Sequence, residues 1–236
     1  MSELEASIEQ LYSAFGTYRR PNAISYSPHA GITDEDVAPL RAKELRTLSP
    51  QELSKFAQRA LNTWGDENEL RYYLPRLFEL MATERGWVDV PGLIGKLAIG
   101  SWQTWPGTER AALTRFIAAA ADAVLRREAV ISLYDLALGA SDAGMPVGPV
   151  VSPPRDPSLD DAWAGELAFL IAMEQRSLDT TGNVRDRWSV DARRSIRDLL
   201  TSPDTKNRLE TAFVAAKTPD TSRVLGDAAD VLDRLR

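Results

Sequence analysis

The chain has 236 residues, a hydrophobic fraction of 44%, a charged fraction of 26% and a formal net charge of −6. It has no cysteine, which excludes disulfides, a thiolate nucleophile and Cys-bound zinc, and fits a reducing, cytoplasmic setting. The acidic balance excludes a general nucleic-acid binder, which needs a basic footprint, and no apolar run approaches the roughly 20 residues of a membrane span.

A chain of this size buries about 70% of its unfolded surface and folds without staples. The opening residues, MSELEASIEQ, are acidic and amphipathic, unlike a signal or transit peptide. Ser2 and Glu5 form a capping box, and Leu4, Ile8, Leu11, Tyr12 and Phe15 give one apolar face ending near Gly16. Residues 19–31 read as irregular. Thr33 with Asp34, Glu35 and Asp36 starts a short helix limited by Pro39, and residues 40–48 form a turn or two of helix.

The stretch that organises the chain is 61–80, LNTWGDENELRYYLPRLFEL. Ser49, Pro50 and Glu52 start the helix before it, whose apolar stripe runs Leu53, Phe56, Ala57, Ala60, Leu61 and Trp64. Gly65 suits the left-handed residue that closes a helix. Asp66 caps the next one, Glu69 favours its dipole, and Pro75 kinks or restarts it.

Asp89 caps a helix with Pro91 in its first turn, Trp102 and Trp105 lie in the following connection, and Pro106 opens the next helix. Residues 129–140 form a further helix, which can join its predecessor without a break because nothing between Arg126 and Val130 forces a stop. Residues 144–158, GMPVGPVVSPPRDPS, read as a non-helical connection pinned against its neighbours. The expected organisation is therefore 1–143, a Pro-rich connection at 144–158, and 159–236, packed as one domain. Asp160 or Asp161 caps a helix over 162–177 that is apolar nearly all round and so central. Glu166 either is buried there with a raised pKa or, the preferred reading, reaches the surface from the second turn. Ser189, Ser202 and Thr218 mark the last three helix starts. The fold class is all-α, either irregular stacked antiparallel helix pairs, α-solenoid-like, or a compact orthogonal helical bundle.

TWGD followed by LPRLFEL, with WPGTER at 105–110, resembles a block found in uncharacterised bacterial all-helical proteins without an assigned activity. The resemblance covers about residues 12–120. Such relatives carry a Cys-Pro-x-Cys element where this chain reads Ser27-Pro28-His29-Ala30, so a metal or redox role of that element does not transfer here.

The candidate chemistry is sparse. His29 is the only histidine, so any Ser-His-Asp triad must use it, and multi-histidine metal sites are excluded. Gly92, Gly95 and Lys96 lack the spacing of a phosphate loop. Asp34, Glu35 and Asp36 lack the alternation of a calcium loop. Asp66, Arg71 and Arg76 lie close together, and the arginines read either as an anion clamp or as local ion pairs beside a capping Asp66. Arg193, Arg194 and Arg197 form a basic face offset by Asp191 and Asp198. The six tryptophans suit core packing, with an aromatic binding surface from Trp64, Trp102 and Trp105 at helix corners as the alternative. The candidate binding residues are thus His29, Asp66, Arg71 and Arg76, with no catalytic residue, metal or cofactor.

The expected function is binding to a protein partner, in the manner of immunity or adaptor proteins, with no nucleic acid and no membrane. The acid around Asp34–Asp36 and Asp66–Glu69 would steer a basic partner. The alternatives are an enzyme using Asp/Glu and Arg, and a bundle that holds a small molecule or lipid.

Overall fold

The computed structural model describes residues 1–27, 29, 31–216 and 218–235. It is 70% helical, with twelve α-helices and, among the described residues, no strand. Two isolated bridges join Tyr26 and Ala60 to Trp64. No helix among the described residues is long and apolar enough to cross a membrane. The chain divides into two compact units, residues 1–120 with 129–131, and residues 121–128 with 132–236. The division therefore falls at the end of a long helix. The Pro-rich residues 144–158, expected to be the boundary, lie inside the second unit.

The first unit holds α1 (Glu3–Ala14), α2 (Asp34–Ala42), α3 (Pro50–Arg59), α4 (Glu67–Thr83), α5 (Val90–Ile99) and most of α6 (Gly107–Leu125). Ser2, Thr33, Ser49 and Asp66 each accept the backbone N–H three residues on, and Glu5, Asp36, Glu52 and Glu69 answer as capping boxes. Each such cap contributes about 1 kcal/mol. Helix α1 packs on α4, α2 on α3, and α3 on both α4 and α5. Leu11, Leu40, Leu53, Phe56, Tyr73 and Leu77 fill the space between them. Phe78 meets Phe116 at 5.3 Å and joins α4 to α6.

The corner differs from the sequence reading. Helix α3 stops at Arg59, and Leu61 takes a first left-handed turn, at φ 63°, ahead of Gly65. The Leu61 N–H donates back to the Trp64 carbonyl at 3.0 Å. The reversal carries the Trp64 indole edge-on between Phe56 and Tyr26, with centroids at 5.7 and 6.5 Å. Burying a large apolar side chain contributes about 1.5–3 kcal/mol, more than one further turn of helix. Gly65 is also left-handed, at φ 74°, but it serves the loop, donating its N–H to the Ser25 carbonyl at 2.7 Å. Neither internal proline ends its helix: α2 runs through Pro39 to Ala42, and α4 through a buried Pro75 to Thr83. Of residues 40–48, only Leu45–Thr47 form a separate turn, a 3-10 helix.

The second unit holds the last turn of α6 and α7 (Leu133–Asp142), α8 (Gly148–Val151), α9 (Asp160–Thr181), α10 (Val190–Thr201), α11 (Pro203–Ala215) and α12 (Pro219–Arg234). Helices α9, α11 and α12 pack on one another, and α7 lies on α9. Helix α9 is central as its composition predicts, with Trp163, Leu167, Leu170 and Ile171 buried, although Phe169 and Met173 face solvent. The Pro-rich segment, expected to be non-helical, contains the helical turn α8 and the start of a 3-10 helix over Pro157–Leu159. Pro149 stands in the first turn of α8, where no N–H is needed. Met145, Val147, Val150 and Val151 are buried, and the Trp163 Nε1–H donates to the Val151 carbonyl at 2.9 Å, tying the segment to α9.

Helix α6 does not run into residues 129–140. Arg127 takes φ 60°, the Arg127 N–H donates to Val124, and the Glu128 N–H donates to Ala123 at 2.8 Å. This is a helix stop of the kind glycine usually provides, and α7 starts afresh at its Ser132 cap. Arg127 is exposed. We expect Arg127→Gly to raise stability by about 1 kcal/mol by removing left-handed strain, read as a higher urea midpoint at unchanged slope. An unchanged or lower midpoint would show that the arginine side chain contributes as much as its strain costs.

Glu166, expected at the surface, turns instead to the start of α7 and accepts the Leu133 N–H at 2.9 Å. Burial pushes its carboxyl above the usual glutamate range, the Leu133 N–H opposes the rise, and nearby Asp135 adds to it. With the folded value raised, the contribution to stability is complete below the unfolded value and is lost as pH rises through the folded one. Glu166→Gln keeps an acceptor for Leu133 and cannot ionise. Its stability relative to wild type should therefore increase as pH is raised through and above the ordinary glutamate range, and thermal melts at several pH values check this.

Candidate functional site

The sequence-predicted arginines lie five positions apart on α4, about 140° around the helix, and so face different neighbours. Arg71 donates from Nη1 to the Tyr18 hydroxyl at 2.7 Å, and that hydroxyl donates to Glu109 Oε1 at 2.8 Å. The Arg71 Nε faces Glu109 Oε2 at 3.8 Å, and these two buried atoms have no hydrogen-bond partner. The guanidinium lies 4.4 Å over the Trp105 ring and also pairs with Glu67. The two side chains of this pair are only 13% and 4% exposed. Burial raises the Tyr18 hydroxyl, and its hydrogen bond to Glu109 adds to the rise.

Arg76 belongs to a second cluster. Its Nε donates to the Leu48 carbonyl at 2.9 Å, and its Nη1 lies 2.8 Å from Glu79, which also accepts the Tyr12 hydroxyl at 2.5 Å. Arg46 stacks 3.7 Å over the Tyr12 ring and makes a two-point pair with Glu9 at 2.7 and 2.6 Å. Each predicted arginine is thus joined to a tyrosine and a glutamate, and the two do not converge as a clamp. Sequence reasoning missed Tyr18 and Glu109, which stand 53 residues before Arg71 and 91 after Tyr18 respectively, so no local pattern marks them. Glu79, three residues after Arg76, was within reach of helical spacing.

Asp66 accepts the Glu69 N–H at 2.9 Å, and Glu69 accepts the Asp66 N–H at 2.6 Å. Burial raises the Glu69 carboxyl, and the Asp66 N–H opposes the rise. Asp66 is a structural cap. His29 is exposed, and its backbone N–H donates to Ser27 Oγ at 3.4 Å. The structure does not bring it to Asp66, Arg71 or Arg76. Pro28 and Ala30 of the SPHA element lie outside the described residues. The basic face of α10 is offset in a slightly different way from the expected one: Arg194 pairs with Asp191 at 3.2 Å, Arg193 with Asp186 at 2.5 Å, and Arg197 donates to the Gly182 carbonyl. Among the described residues no three carboxylates or imidazoles converge as a metal site would require.

Beside the Arg71 cluster the first unit carries an open groove of about 550 Å³, lined by Trp102, Gln103, Arg110, Ala111, Thr114, Arg115 and Ala118. The local sequence explains it. Ser101 is left-handed at φ 53° and turns the chain into a 3-10 helix over Trp102–Thr104, which forms one wall. Helix α6 forms the floor, and its outward residues there are small. Trp105 packs inward instead, anchored by its Nε1–H on the Gly100 carbonyl at 2.8 Å.

Compared with protein-family models, curated proteins and solved structures, the chain finds no match in any of the three.

Proposed function

We propose that this protein works by binding another protein, with no chemistry of its own. The observation that carries this reading is the shallow, open groove over α6, where the small residues Ala111, Thr114 and Ala118 lie between Arg110 and Arg115. The titratable groups that could have suggested catalysis are engaged elsewhere. Arg71, Arg76 and Asp66 serve internal pairs and a cap. Part of the acid around Asp34–Asp36 and Asp66–Glu69 is also engaged. Asp36 holds Lys55 at 2.7 Å, Glu67 holds Arg71, and Asp66 and Glu69 close a capping box. The groove is therefore the better-supported contact surface.

A photo-crosslinking residue at Ala118, compared with one at the exposed Thr180 of the second unit, tests the reading in the source cell. The expected result is a discrete protein adduct at position 118 that is absent at 180 and lost when Ala111 is changed to Arg. Equal labelling at both positions, or an adduct indifferent to Ala111→Arg, would overturn it.

A further inference from the structure

We infer that the occupant of the α6 groove is one amphipathic helix whose apolar face is bordered by carboxylates. The inference rests on the protein-binding reading above and names the partner's chemistry. It follows from where the lining residues stand around α6. At 3.6 residues per turn, Ala111, Thr114 and Ala118 fall within about 60° of one another. Arg110 and Arg115 stand about 40° beyond either edge of that strip, separated by about 7.5 Å along the axis. The groove thus has a low floor of small residues, a wall from the Trp102–Thr104 turn, and an arginine at each border.

Each feature selects against other occupants. The floor is helix, with its backbone hydrogen bonds closed internally, so it offers no edge on which an extended strand could add. Alanine and threonine in the floor let an incoming helix axis approach to about 8 Å, the lower end of helix packing distances. A basic segment would meet like charge on both rims. An acidic one would find two guanidiniums, groups whose planar fork matches carboxylates. Arg115 already shows the pairing, holding Glu3 of its own chain at 3.2 Å with both side chains at least half exposed. Such an exposed pair is weakly held and readily exchanged for a partner's carboxylate. The chain's net charge of −6 repels an acidic partner at a distance. Recognition must therefore be local, made by Arg110 and Arg115 once the apolar face has docked.

Three synthetic helical peptides test this. They share one leucine/alanine face and carry Glu, Gln or Lys on its two borders. Binding is read by fluorescence anisotropy, and the contact surface by amide shifts of Ala111, Thr114 and Ala118. The Glu peptide should bind about tenfold or more tighter than the Lys peptide, with shifts confined to the groove. The pair Arg110→Glu and Arg115→Glu should invert the order, and Arg110→Gln with Arg115→Gln should flatten it. All these positions are exposed, and an unchanged far-ultraviolet dichroism spectrum checks that the variants fold. Equal binding of the three peptides in the groove would overturn the acidic preference and leave the protein-binding reading standing. No peptide binding, with a protein adduct still formed at Ala118, would overturn the helical occupant alone. No peptide binding and no adduct would overturn both.

Discussion

Trp64→Ala should lower stability by about 3–5 kcal/mol, the range for emptying a large buried aromatic site. The indole is 1% exposed and is the hub of the corner between α3 and α4. It touches Phe56 and Tyr26 and takes part in both isolated bridges of the chain's described residues. Its loss would empty the space between Phe56 and Tyr26, while the backbone bond from the Leu61 N–H to the carbonyl of residue 64 would remain. Trp64→Phe should cost markedly less. The indole Nε1–H is buried without a hydrogen-bond partner, so removing it loses no bond and relieves an unsatisfied donor. Urea unfolding of the two variants separates these effects. A Trp64→Ala protein that unfolds like wild type would mean that the corner is held from elsewhere. A Trp64→Phe protein as weak as the alanine variant would mean that the indole does make a hydrogen bond.

Most helix starts were legible because capping is local chemistry. Ser2, Ser49, Asp66, Asp89, Ser189 and Thr218 all cap where the residues after them said they would. Helix ends were less legible, because tertiary contacts decide them. Nothing within three residues of Arg127 announces a left-handed stop, and Leu61 turns because Trp64 needs to be buried. Pro75 does not restart its helix, since α4 continues through it to Thr83, and α2 ends three residues after Pro39: a proline deletes one bond, and the rest of the turn holds. The candidate residues divide in the same way. Asp66 was readable as a cap from its neighbour at 69. The partners of Arg71 come from the segment after α1 and from the first turn of α6, and only the packed unit brings them together. The α6 groove was present in the sequence as a spacing, with Arg110 and Arg115 bordering small residues. Without the Trp102 turn placed beside it, that spacing reads as an ordinary solvated face.

The Arg71–Glu109 pair should give the other large effect. Arg71→Met removes the cation and leaves the Glu109 carboxylate buried with the Tyr18 hydroxyl as its remaining donor. Leaving one partner of a buried pair uncompensated costs about 3–5 kcal/mol. The pendant Glu109→Leu should cost somewhat less, because Arg71 keeps Glu67, the Tyr18 hydroxyl and the Trp105 face. The double variant Arg71→Met with Glu109→Leu should return to within about 1 kcal/mol of wild type, since apolar replacements of similar size restore packing without the cost of dehydrating two ions. The quantity that decides is the coupling from the full double-mutant cycle, measured by denaturant unfolding. A large favourable coupling identifies the cluster as a structural tie between α4 and α6, consistent with a protein that acts through its surface. A coupling near zero would mean that the two atoms facing each other at 3.8 Å do not interact. The buried Arg71 Nε would then be a donor lacking an internal acceptor, and the enzyme or small-ligand readings would gain the convergent polar site that they otherwise lack.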